Sequence, residues 1–434
     1  MIRYLAQKIV LFLLTLQLLS VIVFWIAEIA PGNIAYNKLG VFITPEQEAS
    51  FNNQYALDDP SLTRYRRWLL GSDYQASRLL GTSLTKRSDS MGQTGWWSVA
   101  DDGTLYRPFV NDGKTIVRRE LQPDGTVIAT QHPDDQWELN EAGVSVFWGI
   151  YDDNRAAMWI EGGSQTSLYF NGSMWITERN TPIDYLPLQK GMLRFDPGIS
   201  INDNRPVAEM LGRRLGNSAL LAGVSFVLIM PISFFLGVVA ALNKGNFIDR
   251  TLSFFGIVTT MTPQFVSGVL LIMILGVWLR WVPPVTVIAS GESLFSQPEL
   301  LILPILTLTL AELGYILRLT RASMLDVLGE NYIRTAELKG LPRHRVIFKH
   351  ALKNALLAPI TVMMLHVNYL IGGLVIVEQI FGFPGLGRYL LNAIFTKDVV
   401  AIEAGTLLLL IIATATQLVS EVIYVYLNPK IRFV

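Results

Sequence analysis

Six long apolar runs constrain the fold of this chain more than any other feature of its sequence. A helix that crosses a bilayer needs about 20 mostly apolar residues. Six segments meet that requirement: Ile9–Ala30, Ser218–Leu242, Leu252–Leu279, Leu300–Leu317, Ala355–Val377 and Ala401–Leu427. We therefore predict an all-α polytopic membrane protein with six transmembrane helices. The first run is too long for a simple signal peptide and lacks a small-residue cleavage site, so we expect it to be retained.

The composition excludes several classes of function. The 434 residues include no Cys, which excludes disulfide frameworks, Cys-ligated zinc and thiol catalysis. The 35 basic and 35 acidic side chains balance, unlike the basic surplus of a nucleic-acid-binding protein. No pair among the four His has the H-E-x-x-H spacing of a zinc site. We expect no catalytic residue, no metal and no cofactor bound by this chain.

Lys and Arg in the short loops predict the orientation in the membrane, because cytoplasmic loops are enriched in them. Basic residues precede the first run, separate the second from the third and the fourth from the fifth, and follow the sixth. Both termini are therefore predicted to be cytoplasmic. The predicted domains are an N-terminal segment with the first transmembrane helix (1–30), an extracytoplasmic region (31–208) and a core with the other five helices (209–434).

The middle of the extracytoplasmic region, about 71–190, predicts a β-rich domain. It holds six of the ten Trp, and Asp102-Gly103 and Asp124-Gly125 each stand between β-prone residues, which is a hairpin signal. Large aromatic side chains are mostly buried, so we favour a core role for the Trp. An exposed platform for sugars or peptide side chains is the alternative. No Ser/His/Asp arrangement or carboxylate pair in this region indicates a hydrolase.

The predicted cytoplasmic loop at about 326–354 has a helix–Gly–Pro–helix pattern. Tyr332–Lys339 consists largely of good helix formers, Gly340 suits a C-terminal cap, and Pro342 suits the first turn of a second helix. The pattern predicts a short helix that lies across the inner membrane face and docks with a partner. The positive charge of the loop alone would support only a solvated loop.

This loop resembles the EAA loop of ABC-importer permeases. Arg334-Thr335-Ala336 is followed after three residues by Gly340 and later by His350-Ala351-Leu352. The sequence of this stretch is similar to that of the dipeptide/oligopeptide-type branch. Val377–Arg388 (VEQIFGFPGLGR) resembles the signature that this branch carries before its last helix. The resemblance implies a type I ABC importer permease fold, in which about 71–190 is an insertion that most relatives lack.

The resemblance implies a permease subunit with no ATPase activity of its own. A second homologous permease would complete the pathway, two cytoplasmic ABC ATPase subunits would bind ATP and Mg, and an extracytoplasmic solute-binding protein would deliver peptides or peptide-like solutes. The chain would lie in the bacterial cytoplasmic (inner) membrane, with its insertion in the periplasm. Oligosaccharides remain an alternative cargo. A membrane-anchored ligand receptor, which would not need the EAA-like loop, remains an alternative function.

The resemblance also assigns site residues. ATPase coupling falls to Arg334, Thr335, Ala336, Glu337, Gly340 and Leu341. Among these, Ala336 and Gly340 are expected to pack closely and Glu337 to make a polar contact with the ATPase. The outer motif of the family falls to Phe383, Pro384, Gly385 and Gly387.

Three polar residues inside the apolar runs are candidates for the translocation path. They are Gln264, Glu312 and Asn368. Burying polar groups in a membrane is costly, so their presence suggests a function. A structural hydrogen bond between helices is the alternative for each of them, and a protonated carboxyl group is a further alternative for Glu312. An ion-coupled secondary transporter often shows internal repeats, and this sequence shows none.

Overall fold

The computed structural model describes most of the chain. The described residues are 2–29, 34–40, 42–80, 83–88, 90, 94–100, 102–111, 115–131, 136–139, 145–151, 155–160, 164–169, 173–178, 184–287 and 296–427. The chain divides into two compact units. Unit 1 comprises Met1–Ile22, Leu211–Asn392 and Gly405–Val434, and unit 2 comprises Val23–Met210 and Ala393–Ala404.

Most described residues that are not in strands are in helices. In chain order they are α1 (Ile2–Ile29), α2 (Ile34–Leu39), α3 (Pro45–Gln54), α4 (Ser61–Leu70), α5 (Asp73–Leu80), α6 (Val207–Leu242), α7 (Phe247–Met261), α8 (Gln264–Leu271), α9 (Glu299–Leu328), α10 (Asn331–Leu338), α11 (Arg343–Arg345), α12 (Leu352–Ala355), α13 (Leu357–Phe381), α14 (Leu386–Thr396) and α15 (Val399–Leu427). Two π-helical segments, Ile272–Trp278 and Val346–Ala351, follow α8 and α11.

Several of these helices are long and apolar enough to cross a membrane. Among the described residues there are five, or up to seven if each of two bent helix pairs forms one span. The five are Gln7–Ile29, Val207–Leu242, Glu299–Leu328, Arg343–Met364 and Val399–Ile423. The pairs are Phe247–Met261 with Gln264–Trp278, at 107°, and Tyr369–Phe381 with Leu386–Thr396, at 72°. The prediction of a helical protein with several spans is confirmed, and the number six stays a prediction.

The third predicted span, Leu252–Leu279, is not one continuous helix. Proline lacks an N–H and disfavours the helical conformation in the residue before it. Thr262 accordingly has ψ 121° and ends α7, and Pro263 stands immediately before α8. Hydropathy alone did not reveal this break, because an average over apolar residues is insensitive to the backbone.

Small residues let α9 pack closely against α6 and α7 in unit 1. A Cβ on Gly314 would lie 2.3 Å from the carbonyl oxygen of Gly256, and a Cβ on Gly237 would lie 2.5 Å from the Cβ of Thr320. α9 also packs against α8 and α13. The buried cluster that joins α9, α13 and the turn after α13 includes Leu303, Leu308, Val377, Phe381 and Phe383. These contacts hold α9 on several sides and so position the loop that follows it.

The strands of unit 2 form two antiparallel sheets in which each described strand pairs with its neighbours along the chain. The first sheet contains β1 (Ser83–Ser88), β2 (Thr94–Val99), β3 (Leu105–Asn111), β4 (Thr115–Leu121) and β5 (Val127–Gln131). The second contains β6 (Gln136–Leu139), β7 (Ser145–Tyr151), β8 (Arg155–Ile160), β9 (Ser164–Tyr169), β10 (Ser173–Glu178) and β11 (Asp184–Pro187). The predicted β-rich character of about 71–190 is confirmed. Its extracytoplasmic location and the domain boundaries stay predictions.

Both Asp-Gly pairs lie at hairpin turns, as predicted. Asp102-Gly103 joins β2 to β3, and Asp124-Gly125 joins β4 to β5. Gly103 and Gly125 have φ values of +84° and +85°, which glycine adopts at little cost. The carboxylate of Asp124 accepts hydrogen bonds from the hydroxyl and the N–H of Thr126, at 2.7 and 2.9 Å, and these bonds lower the pKa of Asp124.

Two Trp of the insertion are buried. Trp96 is 8% exposed and Trp97 is 1% exposed. The two are consecutive in β2 and therefore point to opposite faces of the sheet, so both faces are covered at that point. The core interpretation holds for these two residues. The side chains of Trp137, Trp148, Trp159 and Trp175 lie outside the described residues.

The segment that contains the β sheets begins and ends at one place, where Gly71 contacts Gly191. We call this contact the neck. A Cβ on Gly191 would lie 2.3 Å from the backbone nitrogen of Gly71. Both glycines have positive φ, +97° and +85°. Beside them the N–H of Ser72 donates to the carbonyl oxygen of Gln189 at 2.9 Å. Two backbones therefore touch where side chains would not fit.

Ion pairs reinforce the neck. Arg194 donates to Asp73 at 2.7 Å, and these hydrogen bonds raise the pKa of the Arg194 guanidinium. Lys86 of β1 donates to Asp196 at 2.8 Å. The base of the β-rich segment is thus tied to the residues that follow it in the chain.

Candidate coupling helix, polar path and outer turn

α10 begins shortly after α9 ends and lies on a small apolar core. Ile333 and Ala336 are three residues apart and share one helix face; they are 1% and 7% exposed. The buried cluster they join also contains Ala241, Met324, Val346, Ala351 and Ala355. The predicted close-packing residue Ala336 therefore packs within the chain itself, and α10 is held on the helices before and after it.

The other faces of α10 are open. Its exposed side chains include Arg334, Thr335, Glu337 and Leu338. Leu338 is 82% exposed. A large apolar side chain beside charged ones gives a short helix both an anchor for packing and polar contacts for a partner surface. The predicted coupling residues Arg334, Thr335 and Glu337 thus share the accessible part of one helix.

Gly340 ends this helix in the left-handed conformation. Its φ is +74°, and its N–H donates to the carbonyl oxygen of Glu337 at 2.9 Å. A Cβ there would meet no described atom within 4 Å. Within this chain Gly340 is therefore required by the backbone conformation and not by close packing. Leu341 is half-buried and packs against the cluster beneath α10.

An ion pair fixes the part of α9 that leads to α10. Arg321 donates through Nη2 to Asp249 Oδ2 at 2.8 Å and through Nε to Oδ1 at 2.5 Å. The N–H of Gly245 also donates to Asp249, at 2.9 Å. A bidentate pair of this kind is strong and geometrically specific. It holds the start of α7 against α9 about two helical turns before α9 ends.

The predicted path residue Glu312 is paired with a histidine. Glu312 Oε2 of α9 lies 3.0 Å from His366 Nδ1 of α13. The His366 ring stacks on Tyr315 with centroids 4.6 Å apart, and Tyr369 lies at 5.0 Å on the same imidazole. Tyr369 is 70% exposed. The four side chains form a polar and aromatic surface that is open on one side.

The predicted path residue Gln264 lies against the same face of α13. A Cβ on Gly373 would lie 2.8 Å from Gln264 Oε1. His366, Tyr369 and Gly373 are spaced at i, i+3 and i+7, so they share one helix face. Gln264 and Glu312 therefore border the same face of one helix. The side chain of Asn368 lies outside the described residues.

Sequence reasoning did not identify His366, Tyr315 or Tyr369. Glu312 and His366 are 54 positions apart, and nothing local to either residue indicates that they pair. One local signal was available for Tyr315, which follows Glu312 by three residues and therefore lies on the same helix face.

The outer motif forms a turn around one buried carboxylate. Glu378, 0% exposed, accepts a hydrogen bond from the hydroxyl of Ser218 and one from the N–H of Arg388 at 3.0 Å. The same Ser218 oxygen accepts from the N–H of Leu386 at 2.8 Å. Asn217 donates to the carbonyl oxygen of Pro384 at 2.8 Å. Glu378 thus accepts a hydrogen bond from a backbone N–H in the first turn of α14, where no carbonyl oxygen of the helix is available as an acceptor.

Two glycines make room for this arrangement. A Cβ on Gly385 would lie 2.1 Å from the carboxyl carbon of Glu378, and a Cβ on Gly387 would lie 2.7 Å from the Cα of Val375. Phe383 is fully buried in the cluster beneath the turn. The predicted outer-motif residues Phe383, Pro384, Gly385 and Gly387 are therefore brought together as the 72° bend between α13 and α14.

Comparison with known proteins identifies the family of this chain. Residues 233–433 match the family described as "Binding-protein-dependent transport system inner membrane component". The chain is 37% identical over 254 residues to the oligopeptide transport system permease protein AppB of Bacillus subtilis (strain 168). The aligned residues make up 58% of this chain and 80% of that protein. The chain belongs to this family. The match to the family contains α10, the Glu312–His366 pair and the outer turn.

A second relative supports the same assignment. The permease is 36% identical over 238 residues to the glutathione transport system permease protein GsiC of Escherichia coli O6:H1. The aligned residues make up 55% of this chain and 75% of that protein. This permease is thus a multi-pass inner membrane protein. A permease of a binding-protein-dependent system works with a binding protein and an ATPase.

The β-rich segment is about as long as the difference in length between this permease and AppB. Since 254 residues are 80% of AppB, that protein has about 318 residues. The 434-residue permease without its 119 residues 72–190 would have 315. The neck at Gly71 and Gly191 encloses that same segment.

Proposed function

We propose that this permease subunit moves peptides or peptide-like solutes from a solute-binding protein into the cytoplasm. Two relatives, 37% and 36% identical to this chain, are named for the transport of oligopeptides and of glutathione. Both of these cargoes contain peptide bonds. Oligosaccharides are the alternative cargo. Competition between a peptide mixture and an oligosaccharide mixture for uptake by the reconstituted transporter distinguishes them.

The observation that carries the mechanism is the build of α10. Two buried side chains, Ile333 and Ala336, fix the helix to the permease, while Arg334, Thr335, Glu337 and Leu338 stay exposed. A helix held on one side and open on the others can transmit motion from a partner that grips its open side. We assign that partner role to the ATPase subunits, which would hold ATP and Mg while this chain binds neither.

The proposed assembly has two permeases, two cytoplasmic ATPases and one solute-binding protein. In it this chain spans the inner membrane six times with both termini in the cytoplasm, and the β sheets lie in the periplasm. Support comes from the positive residues of the short loops. Affinity purification of the tagged chain in mild detergent, followed by mass spectrometry, tests the composition. Recovery of the chain alone across several detergents would contradict the assembly.

Substitutions in α10 test the coupling role. We expect Glu337→Ala and Gly340→Pro each to abolish most substrate-stimulated ATPase activity of the assembled complex. Glu337 supplies an exposed charge, and proline cannot adopt the φ of +74° at position 340. Lys353→Ala is the control, because Lys353 is an exposed charge in the same loop outside α10. Normal stimulation in both α10 variants would rule the coupling role out.

The face of α13 that carries His366 and Tyr369 is our candidate for the translocation path, together with Gln264 and Glu312. Ionisable groups in membrane segments are rare and often mark substrate pathways. The open, polar side of this cluster supports the assignment. Asn368 stays a candidate on the basis of the sequence.

A further inference from the structure

A cavity in unit 2 is lined by aromatic side chains and by one buried carboxyl group. Phe24 of α1, Tyr55 after α3 and Trp68 of α4 form part of its wall, and Glu403 of α15 also lines it. The cavity has a volume of about 100 Å³, whereas one water needs about 10–15 Å³ by the same measure. It therefore has room for a small organic group.

The carboxyl group of Glu403 makes no hydrogen bond to a side chain in the described part of the chain, although the residue is only 4% exposed. The charged groups that act on it are Arg64 and Glu28. Arg64 already donates to Glu28 Oε2 at 2.9 Å and to the carbonyl oxygen of Leu57 at 3.0 Å. The guanidinium that is available to Glu403 is thus shared with a second carboxylate.

With Glu28 and Glu403 both ionised, the side chains in and beside the cavity carry one more negative charge than positive charge. Arg67, another cation in the wall, is paired with Asp59. Glu28 Oε1 is itself buried without a hydrogen-bond partner among the described residues. An ionised carboxylate removed from water is costly unless a cation pairs with it. A cationic group that enters the cavity would remove that cost.

The wall favours an organic cation over a metal ion. The faces of Phe, Tyr and Trp attract ammonium groups, whereas Ca²⁺ requires six or more oxygen ligands. The described residues contain no group of three or more acidic or His side chains that could hold a metal ion. An ammonium group needs one carboxylate and an aromatic wall, and the cavity has both.

We propose that this cavity binds a primary ammonium group, with Glu403 as the counter-ion and Phe24, Tyr55 and Trp68 as the aromatic wall. Two sources share this chemistry: the headgroup of phosphatidylethanolamine and the free amino end of a soluble peptide. The site shares no residue with α10 or with the candidate path, so the proposal does not rest on the proposed function.

The first test uses the full-length chain in nanodiscs of phosphatidylglycerol alone, which contain no ammonium lipid. We expect ethylammonium chloride to raise the Tm saturably, by about 2 °C or more. Sodium chloride and uncharged ethanol at the same concentrations should give no such rise. This comparison uses the wild-type protein and so does not depend on the folding of a variant. Equal responses to the three compounds would overturn the proposal.

The second test removes the counter-ion. Glu403→Gln changes the charge with little change in shape, so we expect it to abolish the response to ethylammonium. It should also raise the Tm in the absence of amine, because an uncompensated buried carboxyl group is removed. Glu209→Gln, at an exposed carboxylate of α6, should keep the full response. An unchanged response in Glu403→Gln would place amine binding elsewhere and overturn the proposal.

Two further measurements identify the source of the ammonium group. For a lipid headgroup, phosphatidylethanolamine in the nanodisc raises the Tm without added amine, and native mass spectrometry finds this lipid on the wild type and not on Glu403→Gln. For a soluble amine, the lipid has no effect, and dialanine raises the Tm while N-acetyl-dialanine does not. Absence of both effects would contradict the proposal.

Discussion

At the scale of single residues, the turn between α13 and α14 depends on space for one carboxylate. We predict that Gly385→Ala destabilises the protein, because the added methyl group would overlap the Glu378 carboxylate and break its hydrogen bonds to the turn. Overpacking of this kind costs about 1–3 kcal/mol. The measurement is the Tm of the purified chain, which should fall by several degrees.

Gly372→Ala is the matched control for this substitution. Gly372 lies in α13, and a Cβ there would meet no described atom within 4 Å. Alanine is also the better helix former, so the Tm should stay the same or rise. If both variants lower the Tm equally, the overlap with Glu378 is not the cause.

The sequence identified the members of this turn but not its organisation. The resemblance named Phe383, Pro384, Gly385 and Gly387, and Glu378 appeared among its letters without a role. That role depends on Ser218, which is 160 positions away in the chain. Such a partner becomes apparent only when α6 and α13 are placed side by side.

At the scale of elements, Glu312 and His366 connect α9 to α13 on the face assigned to the path. We predict that Glu312→Gln lowers peptide uptake into proteoliposomes several-fold. Glutamine keeps a hydrogen-bond partner for His366 but removes the negative charge from the open surface. The assembled complex should form in normal amounts, because the contact between the helices is retained.

Glu299→Gln is the control for this prediction. Glu299 is an exposed carboxylate at the start of the same helix, so uptake should be unaffected. Uptake by Glu312→Gln at the wild-type rate, with a normal amount of complex, would assign Glu312 a structural role and contradict the path.

Hydropathy predicted which segments are apolar helices but not how they bend. The segments on both sides of Pro263 are apolar, so an average over them did not reveal the 107° angle between α7 and α8. α10 was more accessible to prediction, because a Gly after a helix-forming stretch is a local signal. The packing of Ile333 on Ala241 and Met324 was not, since these residues come from different helices.

At the scale of the whole molecule, the insertion can be removed at its neck. We predict that a chain with residues 72–190 replaced by a short Gly/Ser bridge still enters the membrane and binds the ATPases, because Gly71 and Gly191 are already in contact. We expect its affinity for the solute-binding protein to fall, since we propose that the insertion docks this protein; guarding the outer gate is the alternative role. Titration of the binding protein against ATPase activity measures this.

The stability of the shortened chain is the control. Arg194 and Asp196 lose Asp73 and Lys86 as partners in this variant, so its Tm should be compared with that of a full-length Asp73→Asn variant. Unchanged uptake together with unchanged affinity for the binding protein would refute the docking role.

The neck also bears on how the chain is made. Residues 72–190 leave and return at one point, and each described strand pairs with its sequence neighbours, so the contacts of the two sheets are mostly local. Local contacts form early, because they close short loops. With the insertion in the periplasm, as proposed, the β segment can fold during synthesis as soon as Gly191 has followed Gly71 across the membrane, while α6 and the helices after it are still to be inserted.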